Sequence, residues 1–272
     1  VTFKQLRQTA PYTQQFRITV PPEFTGVNIV AFHCARFRFR TRDEWISLIE
    51  NKHMTVNSEP ITPDYTLKKD DVIRTVRHDV VEPDVDAGFD VLYDRNGLLV
   101  INKPAPLPIH PSGRYYKNTL ISILKEQNPH ITYHTIHRLD VWTTGVVVLA
   151  TDPLISRLLH DQVENGEIKK EYGVVAKGDF GEKEFTIDEA VGRVDGSRRG
   201  FGPHITEAKK AVTHFVPVCK KGDLTFLKVF PLTGRTNQIR VHVNVAGGHI
   251  LGDPLYGGQV STSDQLRSDQ NN

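Results

Sequence analysis

Apolar and polar residues change places in short blocks along this chain. The longest strictly apolar runs, such as Val146-Val147-Val148-Leu149-Ala150, span only five positions. Crossing a membrane as a helix takes about 20, so the pattern excludes an integral membrane protein of that kind. Trp45, Ile46, Leu48 and Ile49 share one face of a helix predicted over Asp43 to Asn51, with Asp43 as N-cap or first-turn acid. Short strands are predicted at Met54–Asn57 and Asp71–Val76. Phe89 to Asn102 reads as two strands around the turn Asp94-Arg95-Asn96-Gly97. Pro104, Pro106, Pro108 and Pro111 stiffen the loop that follows, before a helix at Thr119–Gln127 and a buried strand at Gly145–Thr151. Further on come a helix at Pro153–Val163, strands at Lys170–Ala176, 211–218 and 224–231, and a helix at Gln238–Ala246. Residues 192–204 hold Gly192, Gly196, Gly200 and Gly202 beside Arg193, Arg198 and Arg199, and read as a mobile loop. The tail after Gly258 is polar. Strands outnumber helices and no repeat is present, so the fold class is mixed α+β.

Length and charge refine this picture. A chain of 272 residues with 38% hydrophobic and 24% charged content suits one large domain with a small companion. Cys34 and Cys219 are its two cysteines, which fits a reducing compartment and neither a disulfide framework nor a cysteine-based zinc site. No basic-then-apolar leader opens the chain at Val1. The expected location is the cytoplasm, or an organelle if a targeting peptide was trimmed. The net charge of +2 hides segregation: +4 over residues 1–56, −4 over 57–110 and +2 beyond. Glu82 to Asp94 carries five acids and no base, with Pro83 and Gly88 among them. This reads as a solvated linker, with a domain boundary near residues 80–88.

Chemistry gathers in two clusters. His137-Arg138-Leu139-Asp140-Val141-Trp142-Thr143-Thr144-Gly145 runs into the apolar strand. Asp140 with Arg138 is either a catalytic carboxylate steered by a cation or a structural ion pair at a strand entrance. The second cluster, Gly234-Arg235-Thr236-Asn237-Gln238-Ile239-Arg240-Val241-His242, leads into the glycine-dense Gly252-Asp253-Pro254-Leu255-Tyr256-Gly257. Among twelve histidines, His134 and His137 have i, i+3 spacing, but no cysteine or carboxylate completes a zinc set, and no metal is expected.

Together these motifs resemble the RluA-type RNA pseudouridine synthases, whose signature is His-Arg-Leu-Asp, two variable residues, Thr-Ser/Thr-Gly and an apolar strand. Val100-Ile101-Asn102-Lys103-Pro104, His110-Pro111, Lys169-Lys170-Glu171-Tyr172 and Lys210-Ala211-Val212-Thr213-His214-Phe215 extend the likeness in the family's order. The resemblance implies a cofactor-free, metal-free isomerase that converts uridine in structured RNA, ribosomal or transfer, to pseudouridine. It implies Asp140 as the catalytic residue, Arg138 as the side chain that displaces the flipped nucleotide, Tyr172 as the ring on the uracil, and Arg240 as the ion-pair partner of the aspartate. The chemistry agrees: breaking N1–C1′ and rejoining through C5 needs a carboxylate kept ionised by a nearby cation, and a base lifted out of its stack onto an aromatic face. Two departures stand out. Asn237 replaces the family's usual histidine, and Trp142 fills a variable position with a large ring.

The basic N-terminal part resembles the small S-four-like α/β RNA-binding domain. The likeness runs from Arg40-Thr41-Arg42-Asp43-Glu44-Trp45-Ile46 through Leu67-Lys68-Lys69-Asp70-Asp71-Val72-Ile73. Arg36, Arg38, Arg40 and Arg42 project together from an extended segment or fan out near a helix start, and with Lys52, Arg114, Arg198, Arg199 and Arg235 are candidate RNA contacts. The organisation implied is an extension at 1–19, the S-four-like domain at 20–80, the acidic linker at 81–88, the catalytic domain at 89–258 and a polar tail at 259–272. The catalytic domain is expected to have a central, mainly antiparallel mixed sheet with a cleft, in a monomer. The competing reading is a non-catalytic RNA-binding or ribosome-assembly factor on the same scaffold.

Overall fold

A computed structural model describes residues 3–37, 39–195 and 198–257. Arg38, Gly196 and the polar tail lie outside the described residues. The chain divides into two compact units, residues 1–151 and 152–272.

The first unit runs β1 (Leu6–Arg7), β2 (Tyr12–Thr19), α1 (Ile29–Arg36), α2 (Arg42–Glu50), β3 (Met54–Val56), β4 (Glu59–Pro60), β5 (Val72–Val80) and β6 (Val85–Asp86). It continues with β7 (Asp90–Arg95), β8 (Leu98–Lys103), α3 (Leu120–Gln127), β9 (His134–Thr135) and β10 (Gly145–Ala150). One four-stranded sheet has the order β2-β5-β3-β4 and the other β7-β8-β10-β9. α1 starts where the Asn28 side chain accepts the amides of Val30 and Ala31, and it buries Ile29, Val30, Phe32 and His33. These pack with Trp45, Ile49, Met54, Val56, Leu67 and Ile73 in one core. α2 begins one residue earlier than its sequence suggests. Thr41 caps it, with Glu44 answering in a reciprocal capping box, so Asp43 is a first-turn acid and not the cap.

Two stretches differ from the sequence reading. β2 was not evident because only Gln14 of its eight residues is buried, so no alternation marks it; pairing with β5 makes it a strand. The acidic stretch is not solvated at its centre. Glu82, Val85 and Asp86 are buried, and β6 pairs with β1. The Asp86 carboxylate accepts the amides of Lys4, Gln5 and Gly88, so backbone donors replace the water the acid was expected to keep.

The hairpin β7–β8 turns through Asn96 at φ 54° and Gly97 at φ 75°, the left-handed pair that a tight hairpin requires. β8 sends Leu99, Ile101 and Lys103 inward and pairs along its whole length with β10. α3 is capped by Thr119 and buries Leu120, Ile121, Ile123 and Leu124.

The second unit runs α4 (Pro153–Glu164), β11 (Tyr172–Lys177), β12 (Phe185–Asp188), β13 (Val191–Asp195), β14 (Arg198–Gly200), β15 (Thr206–Lys209), β16 (Val212–Lys221), β17 (Leu224–Pro231), α5 (Gln238–Val245) and β18 (His249–Ile250). A five-stranded sheet has the order β12-β16-β17-β11-β18. Val174, Ala176, Phe215, Leu227 and Val229 from its strands pack with Val243 of α5. The expected mobile loop at 192–204 is instead the greater part of a three-stranded sheet, β14-β13-β15. Its glycines serve close approach: a Cβ on Gly192 would lie 2.7 Å from the Thr206 carbonyl oxygen, and one on Gly200 2.5 Å from Val194 Cγ2.

Every pairing between these strands is antiparallel. The class is α+β, as the pattern predicts. Among the described residues no helix is long and apolar enough to cross a membrane.

Candidate active site

Asp140 sits in a turn whose backbone is fastened on several sides. Leu139 is buried beside it, and the Asp140 carbonyl accepts the Thr143 amide at 3.1 Å. The Val141 carbonyl accepts the Leu107 amide at 2.9 Å. Lys103, the last residue of β8, is fully buried. Its Nζ donates to the carbonyls of Leu107 at 2.8 Å, Pro104 at 2.9 Å and Val141 at 3.3 Å. An ammonium has three donors, so three carbonyl oxygens match it. Burial pushes the Lys103 pKa down to about 7, against the pull of the Asp140 charge. Lys103 therefore ties the proline-rich loop to the aspartate turn.

Asp140 is half-buried, while Arg138 is exposed. Burial lowers the His110 pKa, and the charges of Arg138 and Lys125 lower it further, so the histidine of His110-Pro111 lies within reach of the arginine's field. The His137 Nε2 accepts the Val148 amide at 3.2 Å, which anchors the start of the motif to β10. Trp142 is 55% exposed.

In the second unit, Tyr172 opens β11 opposite Val229 and is half-buried. α5 starts from Asn237 at φ 58°, a left-handed conformation that asparagine tolerates better than most residues. Its side chain accepts from Arg240 Nη1 at 3.0 Å and donates to the Tyr256 hydroxyl at 3.2 Å. That gives the departure at Asn237 a physical role. Gln238 is buried with both ends engaged. Its oxygen accepts from the Thr233 hydroxyl and the Arg235 amide, and its nitrogen donates to the Val212 carbonyl and Thr213 Oγ1.

Arg240 is held by Asp253 in a two-pronged pair, Nε to Oδ2 and Nη2 to Oδ1, both at 2.7 Å. Its guanidinium carbon lies 4.8 Å from the Tyr256 ring centroid. Burial pushes the Asp253 carboxyl up, but Arg240 and the amides of Leu255 and Tyr256 outweigh it and hold the carboxyl below its ordinary value. The Tyr256 hydroxyl also donates to the Arg199 carbonyl and accepts the Arg199 amide, tying β14 to this cluster.

The candidate RNA contacts disperse. Arg36 ends α1 with its guanidinium over Phe24 and Phe32, Arg40 lies over Trp45, and Arg42 is exposed at the start of α2. The extended arrangement is therefore replaced by a fan around the α1–α2 turn. Lys52 is exposed in a left-handed conformation at φ 60°. Arg114 and Arg198 are exposed. Arg199 and Arg235 line one cleft of the second unit with Lys209, Glu207 and Thr236. Sequence reasoning assigned no role to Asp253 or Glu82 and left Lys103 undecided. Asp253 carried a signal, an acid in a glycine-dense loop with few other charges.

A family model described as RNA pseudouridylate synthase matches residues 97–245. The mouse protein named pseudouridylate synthase RPUSD2 is 31% identical over 252 residues, covering 92% of this chain and 45% of the relative. A Saccharomyces cerevisiae protein named tRNA pseudouridine(32) synthase, mitochondrial, is 29% identical over 255 residues, covering 92% of this chain and 55% of the relative. The solved structure of human RNA pseudouridylate synthase domain containing 1 superposes with a TM-score of 0.55 at 25% identity, over 65% of this chain and 73% of that one. An α+β fold of antiparallel sheets with an anchored aspartate turn defines the class. The chain belongs to the RNA pseudouridylate synthase family. It spans about half the length of these curated relatives.

Proposed function

We propose that this chain isomerises uridine to pseudouridine in structured RNA, ribosomal or transfer, with Asp140 as the catalytic carboxylate. The observation that carries the reading is the fastening of the Asp140 turn by Lys103 and Leu107, which holds one carboxylate in place on a rigid backbone. Arg138 takes the place of the flipped nucleotide, Tyr172 packs on the uracil, and Arg240 keeps the carboxylate ionised. No metal or cofactor enters the step. The yeast relative's name supports transfer RNA as one target class. Residues 20–80 act as an S-four-like RNA-binding domain and 89–258 as the catalytic domain, in a cytoplasmic monomer. Arg36, Arg40, Arg42, Lys52, Arg114, Arg198, Arg199 and Arg235 contact phosphates.

Release of tritium from RNA carrying 5-³H-uridine tests the reading, because only substitution at C5 liberates the label. The protein should release it in EDTA as in buffer, and Asp140→Asn should release none while still binding RNA. Release by Asp140→Asn at the parent rate would sink the assignment. RNA binding without release by the parent protein would favour the non-catalytic factor.

A further inference from the structure

The segment Ser112–Asn118 takes its shape from residues far away in the chain. Glu82 is buried, and its carboxylate accepts the amides of Tyr116, Lys117 and Asn118, each at 2.8 Å, together with the Tyr12 hydroxyl at 2.5 Å. The Asn118 oxygen accepts from Arg7 Nε at 3.1 Å and from the Thr9 hydroxyl at 2.6 Å, and its nitrogen donates to the Pro83 carbonyl. With its backbone gripped from within, the segment presents Tyr116 at the surface. The Tyr116 ring is 44% exposed and meets Phe16 of β2, 39% exposed, edge to face with centroids 6.4 Å apart.

Cations surround this aromatic pair. Lys117 Nζ lies 3.9 Å from the Tyr12 ring centroid, and Arg114 is exposed two residues before Tyr116. Arg77 faces Gln14 in register, on the same side of the sheet as Phe16, and is exposed. Glu82, the acid within the cluster, is engaged by the amides. Exposed rings among cations are the recurring form of a single-strand nucleic-acid contact, since every base offers a π-face and every link a phosphate.

We propose that Phe16 and Tyr116 form a stacking platform for an unpaired nucleotide of the substrate RNA, with Arg77 and Arg114 on its flanking phosphates. The inference rests on the RNA-substrate reading above. It also gives the N-terminal strand a part in holding substrate.

The test measures binding of the full chain to two labelled RNA hairpins, one with single-stranded flanks and one blunt. Phe16→Leu and Tyr116→Leu keep apolar bulk and remove the ring; Tyr116→Phe keeps the ring. Each leucine variant should weaken binding to the flanked hairpin by roughly tenfold, the loss expected for one base without its aromatic partner. The blunt hairpin should bind unchanged, and Tyr116→Phe should match the parent. A 2-aminopurine in the flank should be quenched by the parent and not by Tyr116→Leu, a readout that a general loss of folded protein would not reproduce. Parent-like binding of Tyr116→Leu to the flanked hairpin, or equal weakening for both hairpins, would overturn the platform. Tritium release separates the two readings. A parent that turns over RNA while Tyr116→Leu binds normally loses only the platform. A parent without turnover whose flank binding still needs Tyr116 loses only the catalytic assignment.

Discussion

Lys103 Nζ donates to the carbonyl of Val141, the residue next to Asp140, and to the carbonyl of Leu107, whose own amide also reaches Val141. One buried lysine therefore holds two loops in register beneath the aspartate turn. The family likeness marks this lysine, but its function as an internal brace appears only when its three acceptors are seen together.

Replacing Lys103 with methionine should lower turnover at least tenfold while leaving RNA affinity near its parent value, because the brace positions the carboxylate and does not touch RNA. It should also alter the pH dependence of stability. Burial holds the folded pKa near 7, against 10.5 for an unperturbed lysine. Between those values the unfolded chain binds the extra proton, so this group makes stability rise with pH across that window. Urea unfolding at several pH values from about 7 to about 9 should show that slope in the parent and its loss in Lys103→Met.

Asp253→Asn should cost about 3 kcal/mol of stability, since it removes the charge from one side of the two-pronged pair with the part-buried Arg240 guanidinium. The Asp253 carboxyl is held below its ordinary value, so its contribution is present at neutral pH and is lost as pH falls through the lowered folded pKa. Acid unfolding of the parent should therefore include a component that the variant lacks. Turnover should fall more than RNA affinity.

Glu82→Gln exchanges one carboxylate oxygen for a donor that faces backbone amides. Hydrogen exchange at Tyr116, Lys117 and Asn118 should accelerate while the β8 and β10 amides keep their protection. The stability loss should be about 1–3 kcal/mol, the cost of a buried donor left unmatched. Uniform acceleration across the unit would argue against a local grip.

Thr41→Ala removes the capping box of α2 and should lower stability by about 1 kcal/mol, read as a shift in the urea midpoint at constant slope. Thr41→Ser should recover most of it, because serine supplies the same acceptor.

Local pattern determined a large part of this protein. Asn96-Gly97 marks its hairpin, and the apolar faces of α2, α3 and α5 locate those helices to within a residue or two at each end. Periodicity reports which side of an element is buried, and turn chemistry reports where the chain reverses; both are local. The motif order from Lys103 to Tyr256 also sufficed for the family.

Tertiary structure decided what the polar residues do. Glu82 and Asp86 read as solvated acids because their amide donors lie up to 36 and 82 positions away. Residues 192–204 read as mobile because glycine signals freedom in a single chain, whereas strands packed close leave no room for a Cβ. β2 carries almost no hydrophobic alternation and exists through its pairing with β5. Burial of apolar surface is written along the chain; the partners of buried charges are supplied by distant segments, and only the folded backbone brings them together.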